Sequence, residues 1–370
     1  MKKILVTGGA GFIGSHLVDR LVRDGKDVVV LDSFEAQVHQ GKKPGYLNNG
    51  ASYITGDVRD EKALKKSLKD VETIFHFAAK VGVGQSMYEI KDYVSANTFG
   101  TAHLWDYIIN NKLGIKKFIV ASSMSIYGEG AYRCDKCGPV SPHLRSDIQL
   151  KQKRWELFCP VCDSGLSDVS TNEDKKLLST SVYAITKKDQ EELSLNIGIS
   201  YGIPTVALRF FNVYGPRQSL SNPYTGACAI FSSRIKNGNP PLIYEDGLQT
   251  RDFIDVRDIV EACILAINSR RTDNKALNVG TGVASSIKDI ARILIALYGE
   301  SMEPEIAGSY RVGDIRHCYA DVGRFKDLGF VAGVELEDGL KDLVAWGRKE
   351  EAQDRTVQAN MELDKRKLKL

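Results

Sequence analysis

The chain opens Ile4-Leu5-Val6-Thr7-Gly8-Gly9-Ala10-Gly11-Phe12-Ile13-Gly14, an apolar run that breaks at once into glycines. A Gly-rich turn between a strand and a helix lets backbone N–H groups approach a pyrophosphate at the helix N-terminus. Working outward, apolar β-branched runs alternate with helical periodicity. Strands are expected at Ile4 to Val6, Val28 to Leu31, Tyr53 to Ile54, Thr73 to Phe75, Phe118 to Ala121 and Thr205 to Arg209, with helices over 12–24, 61–69, 92–111 and 183–199. Such alternation builds parallel βαβ units and hence a doubly wound α/β sheet.

This Rossmann-type domain is expected to span 1–214. After residue 215 Pro, Gly and Asn become frequent, with helices near 227–237, 256–268, 286–298 and 337–348. That pattern predicts a smaller C-terminal lobe, 215–350, capping the carboxyl edge of the sheet, where ligands of such folds sit. Residues 351–370 are nearly all charged or polar and read as a solvated, partly frayed tail.

Tyr183-Ala184-Ile185-Thr186-Lys187 puts an ammonium one helical turn from a phenol, on the same face. A nearby cation favours phenolate, so Tyr183 reads as a general base. Asp32 follows the second strand, where a carboxylate can accept hydrogen bonds from an adenosine ribose. Ser33 and Phe34 offer no cation for a 2′-phosphate, so NAD is expected rather than NADP. Asp57-Val58, after the third strand, could contact the adenine; a ligand-free Gly56-Asp57 turn fits the local sequence equally well.

Composition narrows the class. In 370 residues, 26% are charged and the net charge is only +3, so no global field argues for nucleic acid. No apolar run approaches the roughly 18 residues of a membrane span, and the first segment reads as a strand rather than a signal peptide. A cytoplasmic enzyme is expected, without a membrane partner. Its seven cysteines point to metal or free thiols rather than disulfides. Cys228 and Cys263 fall in helical patterns and read as small core residues. His76, at a strand end, reads as a structural contact under the cofactor, and His16 as a packed surface histidine.

Further motifs are His76-Phe77-Ala78-Ala79, Asn97, Ser122-Ser123-Met124-Ser125-Ile126-Tyr127-Gly128, Arg209 to Arg217, Arg251-Asp252-Phe253 and Arg311-Val312-Gly313-Asp314. With these the chain resembles, over roughly 1–350, the extended short-chain dehydrogenase/reductase family in its NAD-dependent nucleotide-sugar 4-epimerase branch. The resemblance implies that Ser123 hydrogen-bonds the reacting sugar hydroxyl, Tyr183 takes its proton and Lys187 holds the nicotinamide ribose. It implies NAD contacts from Gly8, Gly11, Phe12, Ile13, Gly14, Asp32, Asp57, Val58, Phe77, Ala78, Ala79, Asn97, Ser122, Tyr183, Lys187 and Phe210. It assigns Ser123, Ser125, Asn212, Arg251, Arg311, Asp314 and Cys318 to the sugar nucleotide. The two arginines and Asn212 fall on the diphosphate, a task that suits the guanidinium fork, and Cys318 lines the sugar pocket, leaving room for a bulkier C2 substituent.

Within that family, dehydrating relatives carry an acid and a base directly after the serine, and decarboxylating relatives keep a Glu at the second position. This chain has Met124 and Ser125. The 4-keto sugar then has one easy exit, return of the hydride to C4, and a pivot about the anchored diphosphate makes the outcome 4-epimerisation. The run Val81 to Tyr88, Ser221 to Tyr224 and the cysteine insert resemble a subgroup associated with dTDP-L-rhamnose 4-epimerase, which makes dTDP-6-deoxy-L-talose. UDP-glucose or UDP-N-acetylglucosamine 4-epimerisation is the alternative substrate reading. A non-catalytic NAD-sensing module that binds a protein partner is a third, opposed by the intact Tyr183/Lys187 pair.

The stretch between Ser123 and Tyr183 is about twice that of simple epimerases and carries Cys134-Asp135-Lys136-Cys137 and Cys159-Pro160-Val161-Cys162. Two such knuckles can close a tetrahedral thiolate site, so a zinc-ribbon-like insert over 130–172 is expected, with structural zinc on Cys134, Cys137, Cys159 and Cys162. A degenerate site, a redox dithiol or His143 as substitute ligand are the alternatives. Four thiolates leave no open position for water, so the metal should order the loop rather than catalyse. The family resemblance also implies a homodimer through the helices at 92–111 and 183–199, where Leu104, Ile108, Leu193 and Ile197 sit at helical spacing.

Overall fold

The computed structural model describes residues 3–370. Seven strands, β1 (Lys3–Thr7), β2 (Asp27–Asp32), β3 (Ser52–Thr55), β4 (Val71–His76), β5 (Lys117–Ser123), β6 (Thr205–Phe210) and β7 (Lys275–Val279), form one parallel sheet in the order β7-β6-β5-β4-β1-β2-β3. The order reverses between β1 and β4, which opens a crevice at their carboxyl ends. Because side chains alternate along each strand, neighbours such as Leu5 and Val6 serve opposite faces, and the central strands bury apolar residues on both. On one face Leu17 and Leu21 of α1 (Phe12–Arg23) pack with Val6, Val30 and Ile119. On the other, Leu104, Trp105 and Ile108 of α2 (Gly100–Asn110) pack with Leu5, Ile74 and Phe118. The long helix α3 (Val182–Tyr201) lies against β5 and β6. No helix among the described residues is long and apolar enough to cross a membrane.

All six expected strands form, but the sheet takes a seventh from beyond residue 214. β7 is short and carries Asn278, whose buried amide donates to Thr171 O and Asp321 O, so it reads weakly as a strand. The helix α4 (Val256–Asn268) likewise covers the sheet rather than the lobe, with Ile259 and Cys263 in the core beneath α1. The lobe itself centres on Cys228, Phe231, Phe253, Leu294 and Leu343. Both Cys228 and Cys263 are buried core residues, as expected.

The tail departs most from expectation. Residues Thr356–Lys365 form a helix, α5, that buries Ala359 and Leu363. Beyond it Leu370 exchanges backbone hydrogen bonds with Tyr310 at 2.9 and 3.0 Å. An Ala and a Leu four residues apart make a stripe too narrow to register in a polar composition, yet wide enough to dock.

In the insert, Ala131–Cys134, Gly138–Val140 and Ser167–Val169 form a three-stranded antiparallel sheet with the first strand central.

Candidate active site

The carboxyl end of β5 delivers Ser122 and Ser123, and α3 begins opposite with Ser181 as its N-cap, whose Oγ accepts from Ala184 N at 3.1 Å. Tyr183 therefore sits in the first turn, its own N–H bonded to Ser86 Oγ at 2.9 Å and its phenol hydrogen-bonded to Ser123. Ser125 Oγ donates to Ser123 Oγ at 2.9 Å. Lys187, one turn on, is buried and donates to Ala121 O and to Gln190 Oε1 at 2.7 Å. The structure thus brings the predicted triad together at one point.

Burial raises the Tyr183 pKa, and the bond with Ser123 opposes it. Burial pulls Lys187 down to about 7 against the upward pull of Glu191. The sequence suggested that the ammonium itself would tune the phenol. In this state its nitrogen is turned to Ala121 and Gln190, and the Ser123 hydroxyl does that work instead.

Beneath the triad lies a buried polar network. His76 Nδ1 meets Thr7 Oγ1 at 2.8 Å and Nε2 meets Thr101 Oγ1 at 2.9 Å. Burial first, and Lys187 second, lower its pKa to about 3, so it is a neutral structural contact. Glu191 accepts from Ser122 Oγ at 2.6 Å and pairs with the buried Arg209. Gln190 and Glu191 were not singled out from sequence. Their signal was helical spacing: Tyr183, Lys187, Gln190, Glu191 and Ser194 make a polar face that is turned inward.

At the cofactor end Gly11 is the N-cap of α1 and contributes no side chain, so no side chain caps this N-terminus, a ready anion seat. Two glycines there are obligatory. Gly8 has φ +70° and a Cβ on it would lie 2.8 Å from Ala78 N; one on Gly14 would lie 2.3 Å from Gly8 O. Asp32 is held by Ala10 N and Phe34 N, both at 2.9 Å, which leaves lone pairs for ribose hydroxyls. Asp57 is engaged by Arg59, through its N–H and guanidinium, and Val58 is buried in the core with its carbonyl bonded to His103 Nδ1 at 3.0 Å. Asn97 is buried in a π-helical turn and braces the loop after β4, accepting from Lys80 N at 2.7 Å and donating to Lys80 O at 3.0 Å. The crevice residues fit NAD.

A cavity of about 300 Å³ runs from this point into the lobe, lined by Met124, Ser125, Asn212, Arg251, Arg311 and Asp314 among others. Five of the seven residues assigned to the sugar nucleotide line it. Asn212 Oδ1 is buried without a hydrogen-bond partner among the described residues, as a ligand-facing atom would be. Cys318 is not among the lining residues. It is 1% exposed, in an apolar cluster with Tyr127, Phe211 and Met124, the last of which does line the cavity. A larger cavity of about 630 Å³ lies at the amino-terminal edge of the sheet, by Ile4, Asp27 and Thr73, away from all of this chemistry.

In the insert the four cysteine sulfurs lie within 4.8 Å of one another, and Cys134 Sγ is 3.5 Å from Cys162 Sγ. A tetrahedral Zn–S₄ site has edges of about 3.8 Å, so the cluster fits. On the helices named for a dimer, Leu104 and Ile108 are consumed by the chain's own core. The exposed large apolar residues there are Val94, Phe99, Ile185 and Ile199, at 42%, 53%, 49% and 59%.

A phenol braced by a serine, beside a buried lysine at the mouth of a dinucleotide crevice, can draw a proton from a hydroxyl as its carbon is oxidised. Fold and site together define the short-chain dehydrogenase/reductase class. More particularly, the chain belongs to the NAD dependent epimerase/dehydratase family, whose model matches residues 4–151 and 161–280. It is 35% identical to dTDP-L-rhamnose 4-epimerase of Burkholderia thailandensis, over 93% of this chain and 94% of that one. Among solved structures, UDP-glucose 4-epimerase of Thermotoga maritima with UDP-glucose superposes with a TM-score of 0.78 at 31% identity, covering 94% and 99% of the two chains. UDP-glucuronic acid 4-epimerase of Bacillus cereus, with UDP-glucuronic acid and NAD, gives 0.77 at 28% identity, over 94% and 99%. The protein is thus an enzyme, an isomerase of the NAD-dependent epimerase type.

Proposed function

We propose that the protein interconverts dTDP-L-rhamnose and dTDP-6-deoxy-L-talose, through a transient 4-keto sugar. The observation that carries the reaction type is the state of the cavity's carboxylates. Only Glu245 and Asp314 appear among the described lining residues, the first paired with Arg145 and Arg316 and the second with Arg311. Neither is free to protonate a leaving hydroxyl or assist decarboxylation, and Met124 occupies the position where an acid would stand. In this reading Ser123 holds the 4-hydroxyl, Tyr183 takes its proton and later returns it, and Lys187 steadies the cofactor ribose. Arg251, Arg311 and Asn212 anchor the diphosphate while the sugar turns. Bound NAD supplies the acceptor, and then the donor, of the C4 hydride.

The rhamnose assignment is supported by the 35% identity to the Burkholderia enzyme across nearly the whole of both chains. UDP-glucose is the second reading, favoured by the Thermotoga complex. Proton NMR of the protein incubated separately with dTDP-L-rhamnose, UDP-glucose and UDP-N-acetylglucosamine decides between them: a new C4 epimer from the first alone is expected, and turnover of a UDP sugar only would overturn the assignment.

The same proposal includes one structural zinc on Cys134, Cys137, Cys159 and Cys162, in keeping with the sulfur spacing. It also includes a homodimer through the helices bearing Val94, Phe99 and Ile185, and a cytoplasmic location suited to seven cysteines of which none forms a disulfide. A monomer in light scattering at micromolar concentration would rule out the dimer.

A further inference from the structure

We propose that α5 is a wall of the substrate site and that Asn360 is a specificity-determining residue binding the nucleoside of a pyrimidine nucleotide sugar. The inference rests on the proposed function above. Thr356, Ala359, Asn360 and Leu363 all line the cavity, and their spacing of three, one and three is a single helical stripe. One face of this helix is therefore committed to the cavity.

Asn360 is placed by its neighbours. The Tyr244 phenol donates to its Oδ1, which leaves the amide nitrogen as the donor facing the cavity. The Arg311 guanidinium stacks on the ring of that same tyrosine, 4.7 Å from its centroid. If Arg311 holds the diphosphate, Tyr244 and Asn360 stand one side chain further on, where the nucleoside must go. Gln249 also lines the cavity and its Oε1 is buried with no partner among the described residues. One free donor and one free acceptor match the C=O and N–H of a thymine or uracil imide edge.

The helix is also tied to the diphosphate loop. Val312 N donates to Leu368 O at 2.9 Å and Leu370 pairs with Tyr310, so the segment after α5 flanks Arg311 on both sides. At the other end Arg366 lies 4.2 Å above the Tyr88 ring, and Leu363 packs near Gly84. The helix and Arg311 should accordingly act as one unit.

The test measures binding of dTDP, UDP and inorganic pyrophosphate by calorimetry, alongside steady-state kinetics. Asn360→Asp keeps the acceptor for Tyr244 and removes the donor; Asn360→Leu removes both. Losing one such hydrogen bond corresponds to about three- to tenfold in affinity. Both variants should bind dTDP and UDP more weakly by about that factor, raise KM similarly and keep kcat within about twofold, while pyrophosphate binds as before. Wild-type affinity for both nucleotides in both variants would overturn the role of Asn360. Equal loss for pyrophosphate would show that Asn360 acts on the diphosphate or on folding instead, and would overturn it too. Should no nucleoside diphosphate bind the wild-type enzyme, the reading of the cavity itself fails, and this inference with it. Arg366→Ala, which removes the contact with Tyr88 and the pair with Glu362 at the end of the helix, should shift nucleotide affinity in the same direction; an unchanged value would contradict the wall.

Discussion

Replacing Glu191 by Gln keeps shape and removes one buried charge from beneath the active site. The carboxylate is 3% exposed and its partner Arg209 6%, with the Arg209 Nη2 to Glu191 Oε1 distance 2.6 Å. Arg209 keeps only neutral partners after the change, Tyr127 OH at 2.8 Å and Glu173 O at 2.9 Å. Breaking a buried pair from one side costs about 3–5 kcal/mol. At an unfolding entropy of about 2.1 cal/mol/K per residue, a chain of 370 residues moves its midpoint by about 1.3 °C per kcal/mol, so the melting temperature should fall by roughly 4–7 °C. A second effect is chemical. Glu191 opposes the burial that lowers the Lys187 pKa to about 7, so without it Lys187 falls further and loses its proton at lower pH. The alkaline limb of the kcat/KM profile should move toward acid, while an isosteric repair at Arg209 (Arg209→Met in the Glu191→Gln background) should recover stability but not the profile. Calorimetry and a pH–rate series test both effects. A Glu191→Gln enzyme that melts and titrates like wild type would refute the reasoning.

Tyr183→Phe should retain NAD, keep its melting temperature within a few degrees and lose roughly 10²–10⁴ in kcat, because it deletes the base and leaves the Ser86 contact to the backbone intact; near wild-type turnover would sink the assignment. Elemental analysis should find one zinc per chain, and Cys159→Ser should lower thermal stability and raise KM while single-turnover chemistry at Tyr183 persists; a metal-free protein with unaltered stability and kinetics would make the cysteines relics. The coupling runs through Arg145 of the insert, which donates to Glu245 and to Asp314 O in the cavity wall. His76 titrates near 3 in the fold and near 6.5 when unfolded, so the unfolded chain takes up the proton first. Its contribution is whole above about pH 6.5 and is lost as pH falls toward 3, roughly 5 kcal/mol in all; a His76→Gln variant whose acid unfolding has the same slope as wild type would contradict this.

The central sheet was legible because parallel strands buried on both faces are continuous apolar runs, and the glycine turn fixes where the first of them ends. The triad was legible because Tyr183 and Lys187 share a helix. What escaped lay in long-range pairing. Lys275–Val279 becomes a strand only because β6 lies beside it, and Asn278 weakens its local pattern. Ala359 and Leu363 dock only because Gly84 and the cavity receive them; alone they are two apolar residues in a charged stretch. Arg145, Glu245 and Arg316 come from three distant segments and form one buried cluster that no local spacing announces.

The central claim is that the chain's own Ser123 and Tyr183 move a proton while hydride leaves C4 and returns to it on the other face. The most direct measurement follows a nucleotide sugar carrying deuterium at C4, in ordinary water, by NMR and mass spectrometry. A C4 epimer that keeps the deuterium at C4 is expected, with no net change in NAD. Loss of the label to solvent, or accumulation of a dehydrated or decarboxylated product, would contradict it.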